Sequence, residues 1–160
     1  MMHSTRIDLA EGTRKKVIGL LNENLAGAIH LSLQAKQAHW NVKGPSFVPL
    51  HELFDKLYDE ASGWADLLAE RAVQFGGVAD GTVEAVAKAK LPAYKLSLSE
   101  GRDHVEALST SLATFGKSIR EAIDVADDAG DAGTADLFTE ISRDADKMLW
   151  FLEAHLQAER

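Results

Sequence analysis

Two pairs of metal-ligand side chains lie along one predicted helix of this sequence. His51 is followed by Asp55, and Asp66 by Glu70, each four residues later. Because residues four apart on a helix share a face and lie about one turn from each other, each pair presents two donors side by side. Imidazole and carboxylate suit iron, manganese or zinc better than copper(I), and the chain has no cysteine to offer a thiolate. Each pair therefore predicts half of a metal site.

One copy of this helix cannot join the two pairs. Their midpoints are 15 residues apart, which is about 22 Å along an α-helix, whereas a coordination sphere spans only about 4 to 5 Å. If the helix packs antiparallel on its own copy around a two-fold axis near residues 60 and 61, each pair lies opposite the other pair of the second chain. Such an isologous contact forms two equivalent sites, so we expect sites shared between two chains.

The first half of the sequence predicts two long helices. Helix-compatible sequence runs from Asp8, which could cap together with Glu11, to about Val42, and it places His39 in its last turn. Ser46 is the predicted N-cap of the second helix, which ends at the glycines of residues 76–77.

The second half predicts a crossover and two more helices. Residues 78–96 form a connection with a short helical stretch, Val83 to Lys90, and this connection is longer than a hairpin requires. A third helix follows the capping pattern of Ser97 and Glu100, and a loop over residues 127–133 leads into the fourth. The pattern predicts an all-α, ferritin-like four-helix bundle. We expect a single domain over residues 1–160, with a short N-terminal arm at residues 1–8.

The ligand stripe has two interpretations. Charged residues on the outer face of a helix usually indicate only a solvated surface. However, Ser62 and Gly63 near the centre of the stripe would let two helix backbones approach closely, and Val48 and Val73 on the same side are unusual for a fully solvated face. The second interpretation is a contact between two chains that completes the metal sites.

Composition restricts the function further. The chain has 160 residues, 46% of them hydrophobic, which is enough for one domain with a real core. No apolar run approaches the roughly 18 residues of a transmembrane helix, and the opening MMHSTRIDLAEG lacks the apolar centre of a signal peptide, so we expect a cytoplasmic protein. A net charge of -8 argues against general affinity for nucleic acid, because the phosphate backbone would be repelled.

Two segments resemble one protein family. QAHWNVKGPSFVPLHELFDKLYDEASGWADLLAERAVQFGG, residues 37–77, closely resembles the signature region of Dps, the DNA-protecting mini-ferritins of starved bacteria. TADLFTEISRDADKMLWFLEAH, residues 134–155, is similar to the last helix of that family. The resemblance implies a subunit of a hollow dodecamer that oxidises Fe(II) at two-fold interfaces, preferably with hydrogen peroxide, and stores Fe(III) mineral inside.

The family's pattern also implies a role for each ligand. Its two histidines and first aspartate come from one subunit, here His39, His51 and Asp55, and its DxxxE pair comes from the mate, here Asp66 and Glu70. The last two are the predicted direct ligands, with His39 as the third. His51 and Asp55 would hold a second, weaker iron directly or through water. Zinc or manganese could occupy the same ligands.

Trp40 and three acidic residues are further candidates for function. Trp40, next to His39, could intercept stray oxidising equivalents or could simply pack at an interface. Asp131, Asp136 and Glu140, at the start of the fourth helix, could form an acidic ion-uptake pore between three copies. Alternatively, these acids could only stabilise a helix N-terminus.

DNA binding is where the sequence departs from the family name. DNA-binding members use a flexible lysine-rich tail, whereas the basic residues before the first helix are Arg6 and those near its start, and the C-terminal HLQAER has one arginine. We therefore expect weak or absent DNA binding. The alternatives are a nucleoid-associated, DNA-compacting protein with secondary iron chemistry, or a structural assembly with a degenerate metal site.

Overall fold

The computed structural model describes residues 2–157, and the regular structure within that range is helical. Five helices follow one another: α1 (Glu11–Asn41), α2 (Phe47–Gln74), α3 (Val83–Val86), α4 (Gly101–Asp128) and α5 (Ala132–Gln157). The all-α class and the short extra helix of the crossover are confirmed, although α3 is shorter than the predicted stretch. Residue 1 and residues 158–160, which end the predicted domain, lie outside the described part.

The four long helices form two hairpins. α1 packs along α2, and α4 packs along α5. Ser118 Oγ donates to Asn24 Oδ1 at 2.9 Å, and the Lys43 amide donates to the Ser99 carbonyl at 3.0 Å, so α4 runs antiparallel to α1 and parallel to α2. Parallel neighbours need a long connection, and the crossover provides it, as in ferritin-like bundles.

The core consists of the apolar stripes of the four long helices. In α2 the buried positions recur every three or four residues, the spacing that places side chains on one face of a helix. Trp64 of this stripe stacks on Phe115 of α4 with ring centroids 5.6 Å apart, and Gly27 of α1 leaves room for the same phenyl ring. Because the apolar face of α2 is used inside the bundle, its ligand face is directed outward.

Two helix starts differ from the prediction. α1 begins at Glu11 with Ala10 as N-cap, so Asp8 does not cap it, and α4 begins at Gly101 with Glu100 as N-cap instead of Ser97. The cause at α4 is the isolated bridge between Lys43 and Glu100, which holds this segment extended. Ser46 is the N-cap of α2 as predicted, although its side chain accepts no capping hydrogen bond.

The N-terminal arm lies against the end of α2. The His3 amide donates to the Gly76 carbonyl at 2.7 Å, and Gly76 adopts a φ of 81° to make the corner. Arg14 of α1 donates to the Leu9 carbonyl at 3.2 Å and to the Phe75 carbonyl at 2.9 Å. These bonds hold the arm in place, which explains why α1 begins later than the sequence predicts.

Side chains of α1 hold the crossover on the bundle. Asn22 donates to the Val78 carbonyl at 2.9 Å and accepts from the Asp80 amide at 2.8 Å. Farther along, Gln34 donates to the Pro92 carbonyl at 2.8 Å. Among the described helices, none is long and apolar enough to cross a membrane.

Candidate metal centre

Two histidines join the last turn of α1 to the first turn of α2. His39 Nδ1 lies 2.8 Å from the His51 carbonyl oxygen, and His51 Nδ1 lies 2.8 Å from the His39 carbonyl oxygen. The imidazole rings stack with centroids 3.6 Å apart and planes at 22°. Phe47 covers the outer side of the His51 ring at 5.0 Å.

These reciprocal hydrogen bonds determine the tautomer of both rings. A carbonyl oxygen can only accept, so each Nδ1 must carry the hydrogen. Each Nε2 of a neutral ring then has a free lone pair, as in metal-binding histidines whose second nitrogen donates to a carbonyl. Each ring therefore keeps one nitrogen, Nε2, available to a metal ion.

Asp55 lies beside this pair and is held by a lysine. Its Oδ1 is 3.9 Å from His39 Nδ1, and it accepts a hydrogen bond from the Lys36 ammonium group. That hydrogen bond holds the pKa of the Asp55 carboxyl below its usual range; partial desolvation opposes this shift, and the positive charge of Lys36 adds to it. In one copy of the chain, the Lys36 ammonium group is thus paired with the Asp55 carboxylate that a metal ion would need as a ligand.

Lys36 was not singled out in the sequence. It precedes His39 by three residues, so the two share one face of α1. That spacing could have indicated a lysine at the site. Its ammonium group also lies 4.5 Å from the centre of the Tyr58 ring, which fixes its position over α2.

Asp66 and Glu70 lie apart from the other three predicted ligands. Both are exposed on α2. Neither forms an ion pair with any other described residue. Within residues 2–157, no three His, Asp or Glu side chains converge on a point that one metal ion could occupy. One chain therefore presents two separated half-sites on one outward face.

The surface between the half-sites combines small and apolar side chains. Ser62 donates its hydroxyl to the Tyr58 carbonyl at 2.7 Å, and a Cβ added at Gly63 would meet no atom within 4 Å. Leu67 is 40% exposed and Val73 is 55% exposed on the same helix, where water contact is unfavourable. Exposed Trp40 lies next to His39 at the end of α1. This face has the properties of a contact surface and also carries the half-sites.

Known proteins identify the family of the chain. A family model described as a ferritin-like domain matches residues 18–160. The chain is 49% identical over 156 residues to the DNA protection during starvation protein of Agrobacterium fabrum, covering 97% of this chain and 96% of that protein. The chain belongs to the Dps family.

Solved structures of Dps proteins agree with this assignment. Dps from Mycobacterium smegmatis in its tetragonal form superimposes with a TM-score of 0.92 at 30% identity, covering 99% of this chain and 96% of that one. Dps from Microbacterium arborescens in a high iron form superimposes with a TM-score of 0.80 at 33% identity, covering 89% of this chain and 96% of the other.

The predicted pore residues of this Dps chain divide into two groups. Asp131 is only 3% exposed, and its oxygens accept from the Thr134 amide at 3.1 Å, the Thr134 hydroxyl at 2.6 Å and Arg71 at 3.3 Å. Its carboxylate therefore caps α5 and pairs with an arginine of α2. Asp136 and Glu140 are exposed on α5, where their role in ion uptake stays a prediction.

Substitution of Asp131 should distinguish a carboxylate that caps α5 from one that is only exposed on it. We expect Asp131→Ala to lower the free energy of unfolding by about 0.5 to 2 kcal/mol, because α5 loses its N-terminal cap. Asp131→Asn retains an oxygen acceptor and should cost less, and Asp136→Ala should stay within about 0.5 kcal/mol of the parent protein. Chemical denaturation followed by circular dichroism gives the three values; equal losses for Asp131→Ala and Asp136→Ala would contradict the capping role.

Proposed function

We propose that this chain oxidises Fe(II) at sites shared between two copies and stores the Fe(III) product inside a hollow dodecamer. The observation that carries the proposal is the His39–His51 pair, whose Nε2 atoms are free, at one end of a face that ends in Asp66 and Glu70. An antiparallel contact of two such faces places the two half-sites opposite each other twice. Iron is the substrate of this site.

The surface between the half-sites supports such a contact. Gly63 and the self-bonded Ser62 allow two α2 backbones to approach closely. The exposed side chains of Leu67, Val73 and Trp40 would be removed from water. Assembly thus gains burial of apolar surface at the same place where it completes the ligand sets.

The ligands suit oxidation of Fe(II). Carboxylates and neutral imidazoles bind Fe(II), and hard oxygen donors stabilise Fe(III) more than Fe(II), which favours the oxidised product. We assign Asp66 and Glu70 as direct ligands and His39 of the second copy as the third, with zinc or manganese as substitutes for iron. Two Fe(II) ions give one electron each to hydrogen peroxide, so that the O–O bond breaks to give two hydroxide ions without release of a radical.

Lys36 explains why the second iron should bind more weakly. A cation at His51 and Asp55 must displace the ammonium group from the Asp55 carboxylate, whereas Asp66 and Glu70 form no ion pair with any described residue. This displacement lowers the metal affinity only of the half-site that contains the histidines. The two iron positions are therefore unequal before any iron binds.

One relative connects the fold with iron. The Microbacterium arborescens protein, whose similarity covers 89% of this chain, is a Dps in a high iron form. Its iron is a property of that protein, and it supports the same cargo for this chain. We extend the proposal to storage on that basis.

Removing the carboxylate half-site should abolish rapid oxidation. We expect the double variant Asp66→Ala, Glu70→Ala to lose fast Fe(II) oxidation with peroxide, because two of the three ligands of the stronger iron are gone. Stopped-flow absorbance of Fe(III) measures the rate, and size-exclusion chromatography with light scattering checks assembly. The matched control is Glu106→Ala, Asp124→Ala, which removes the same charge from exposed positions of α4 rather than from the proposed α2 contact. Equal loss in both doubles would contradict the assignment.

Removing the Lys36 ammonium group should strengthen the second iron position. We expect Lys36→Gln to increase the affinity for the second of two metal ions, because Asp55 no longer exchanges a bound cation for the metal. Calorimetric titration with Zn²⁺ on the assembled protein measures both steps. The control is Lys56→Gln, because the Lys56 ammonium group lies over the Phe151 ring and not on Asp55. An unchanged affinity for the second metal ion in Lys36→Gln would show that the lysine does not compete with the metal for Asp55.

DNA binding is the second candidate, and the names of the relatives favour it. The relatives in Agrobacterium fabrum and Brevibacillus brevis are called DNA protection during starvation proteins. Against it, each copy of this chain carries a net charge of -8, and its arm is hydrogen-bonded to the corner at Gly76. The family's DNA protection would then come from removing Fe(II) and peroxide. The expected cytoplasmic location stays a prediction.

A gel experiment separates the two modes of protection. At about 0.15 M salt without Mg²⁺, we expect the assembled protein to leave plasmid mobility unchanged, because twelve acidic subunits repel the phosphate backbone. The same protein should still protect the plasmid from nicking by Fe(II) and peroxide. Retardation of the plasmid under these conditions would favour the DNA-compacting alternative.

A further inference from the structure

A hydrogen-bonded tyrosine and histidine lie beside the candidate metal centre. Tyr94 belongs to the crossover and is half-buried, whereas His104 of α4 is only 1% exposed. The Tyr94 hydroxyl lies 2.5 Å from His104 Nδ1, and the two rings are inclined by 21°. We assign the phenol as the donor to a neutral imidazole, with Nδ1 as the acceptor and the ring hydrogen on Nε2. The proposed oxidation of iron gives this pair no role.

The pair contacts residues that adjoin the metal ligands in sequence. The His104 ring centroid is 6.3 Å from that of Phe54, which directly precedes Asp55 in α2. On another side, the carbonyl of Asn41 faces the imidazole, and Asn41 follows His39 by two residues. Phe54 and the Asn41 backbone therefore offer routes for electron transfer between the site and the pair.

The surroundings keep both groups neutral at rest. Burial lowers the pKa of His104, opposed by the Asp103 carboxylate and the Asn41 carbonyl, and burial raises the pKa of the Tyr94 hydroxyl. Phenolate and imidazolium are both unfavourable, so the proton stays on the tyrosine. Loss of one electron makes a phenol strongly acidic, and the base that must then take the proton lies within hydrogen-bond distance.

Other aromatic side chains near the site lack these properties. Trp40 is 67% exposed, and its indole nitrogen can only donate. The Tyr58 ring has the Lys36 ammonium group 4.5 Å from its centre, and this positive charge opposes removal of an electron. Tyr94 combines a shielded ring with a neutral base on its hydroxyl.

We propose that Tyr94 donates an electron to hydroxyl radical formed at the iron site, with His104 as its proton acceptor. The inference rests on the proposed function, because the radical arises when a lone Fe(II) gives one electron to hydrogen peroxide, breaking the O–O bond to give hydroxide and hydroxyl radical. Tyr94 gives one electron to the radical, which becomes hydroxide, and its proton passes to His104 Nδ1.

The tyrosine is then restored by the substrate itself. A second Fe(II) gives its electron to the tyrosyl radical, and the proton returns from His104 to the phenol oxygen. In sum, two Fe(II) and one hydrogen peroxide give two Fe(III) and two hydroxide ions, the same balance as the paired reaction. The pair thus corrects the turnover in which only one of the two unequal iron positions is filled.

The two tyrosines of the sequence provide matched variants. Assembled protein with ring-deuterated tyrosine is mixed with substoichiometric Fe(II) and peroxide, frozen rapidly and examined by electron paramagnetic resonance. We expect a tyrosyl signal in the parent protein and in Tyr58→Phe, loss of the signal in Tyr94→Phe, and loss in His104→Gln although Tyr94 is present. In Tyr58→Phe the only remaining tyrosine is Tyr94, so a tyrosyl signal in this variant must come from Tyr94, even if Tyr94→Phe fails to assemble.

The failures of the two proposals can be distinguished. Rapid iron oxidation without a tyrosyl signal in Tyr58→Phe would overturn the role of Tyr94 and leave the ferroxidase proposal standing. A signal that persists in Tyr94→Phe, or that is unchanged in His104→Gln, would likewise overturn the role of the pair. Absence of rapid Fe(II) oxidation by the parent protein would overturn both.

Discussion

The reciprocal hydrogen bonds between His39 and His51 are the interaction on which the candidate site depends. Each ring donates to the backbone of the other residue at 2.8 Å, so the bonds join the end of α1 to the start of α2 while they determine both tautomers. The turn between these helices includes Gly44 with a φ of 105°, a conformation that suits glycine. The hydrogen bonds that close the first hairpin are thus the same bonds that orient the metal ligands.

The geometry of α2 explains why one chain is incomplete. Its apolar stripe is buried against α1 and the other helices, so its polar stripe must lie outside the bundle. A helix rises about 1.5 Å per residue, and no folding of one subunit can shorten the distance between the half-sites. In the proposed function, a second copy completes the ligand sets. Assembly and activity are therefore coupled in the proposed function.

The sequence was sufficient for the features that follow from periodicity. Four long helices, the crossover and the two pairs on α2 depend on residues within one or two turns of each other, and the structure has these elements. The helix starts at Asp8 and Ser97 were wrong because contacts distant in sequence, of His3 with Gly76 and of Glu100 with Lys43, keep the residues before Glu11 and Gly101 outside the helices. Lys36 on Asp55 and Arg71 on Asp131 depend on the packing of different helices, which local patterns do not specify.

Mixing of two defective chains tests the shared site most directly. One variant carries Asp66→Ala and Glu70→Ala, the other His51→Ala and Asp55→Ala, and the two are unfolded and refolded together. Each variant alone should lack rapid Fe(II) oxidation, because none of its sites can bind both iron ions. Random pairing should leave about one quarter of the two-fold sites with every ligand intact. Recovery of rapid Fe(II) oxidation in the mixture is the predicted result. No recovery, with mixed cages demonstrated by mass spectrometry, would contradict a site shared between two chains.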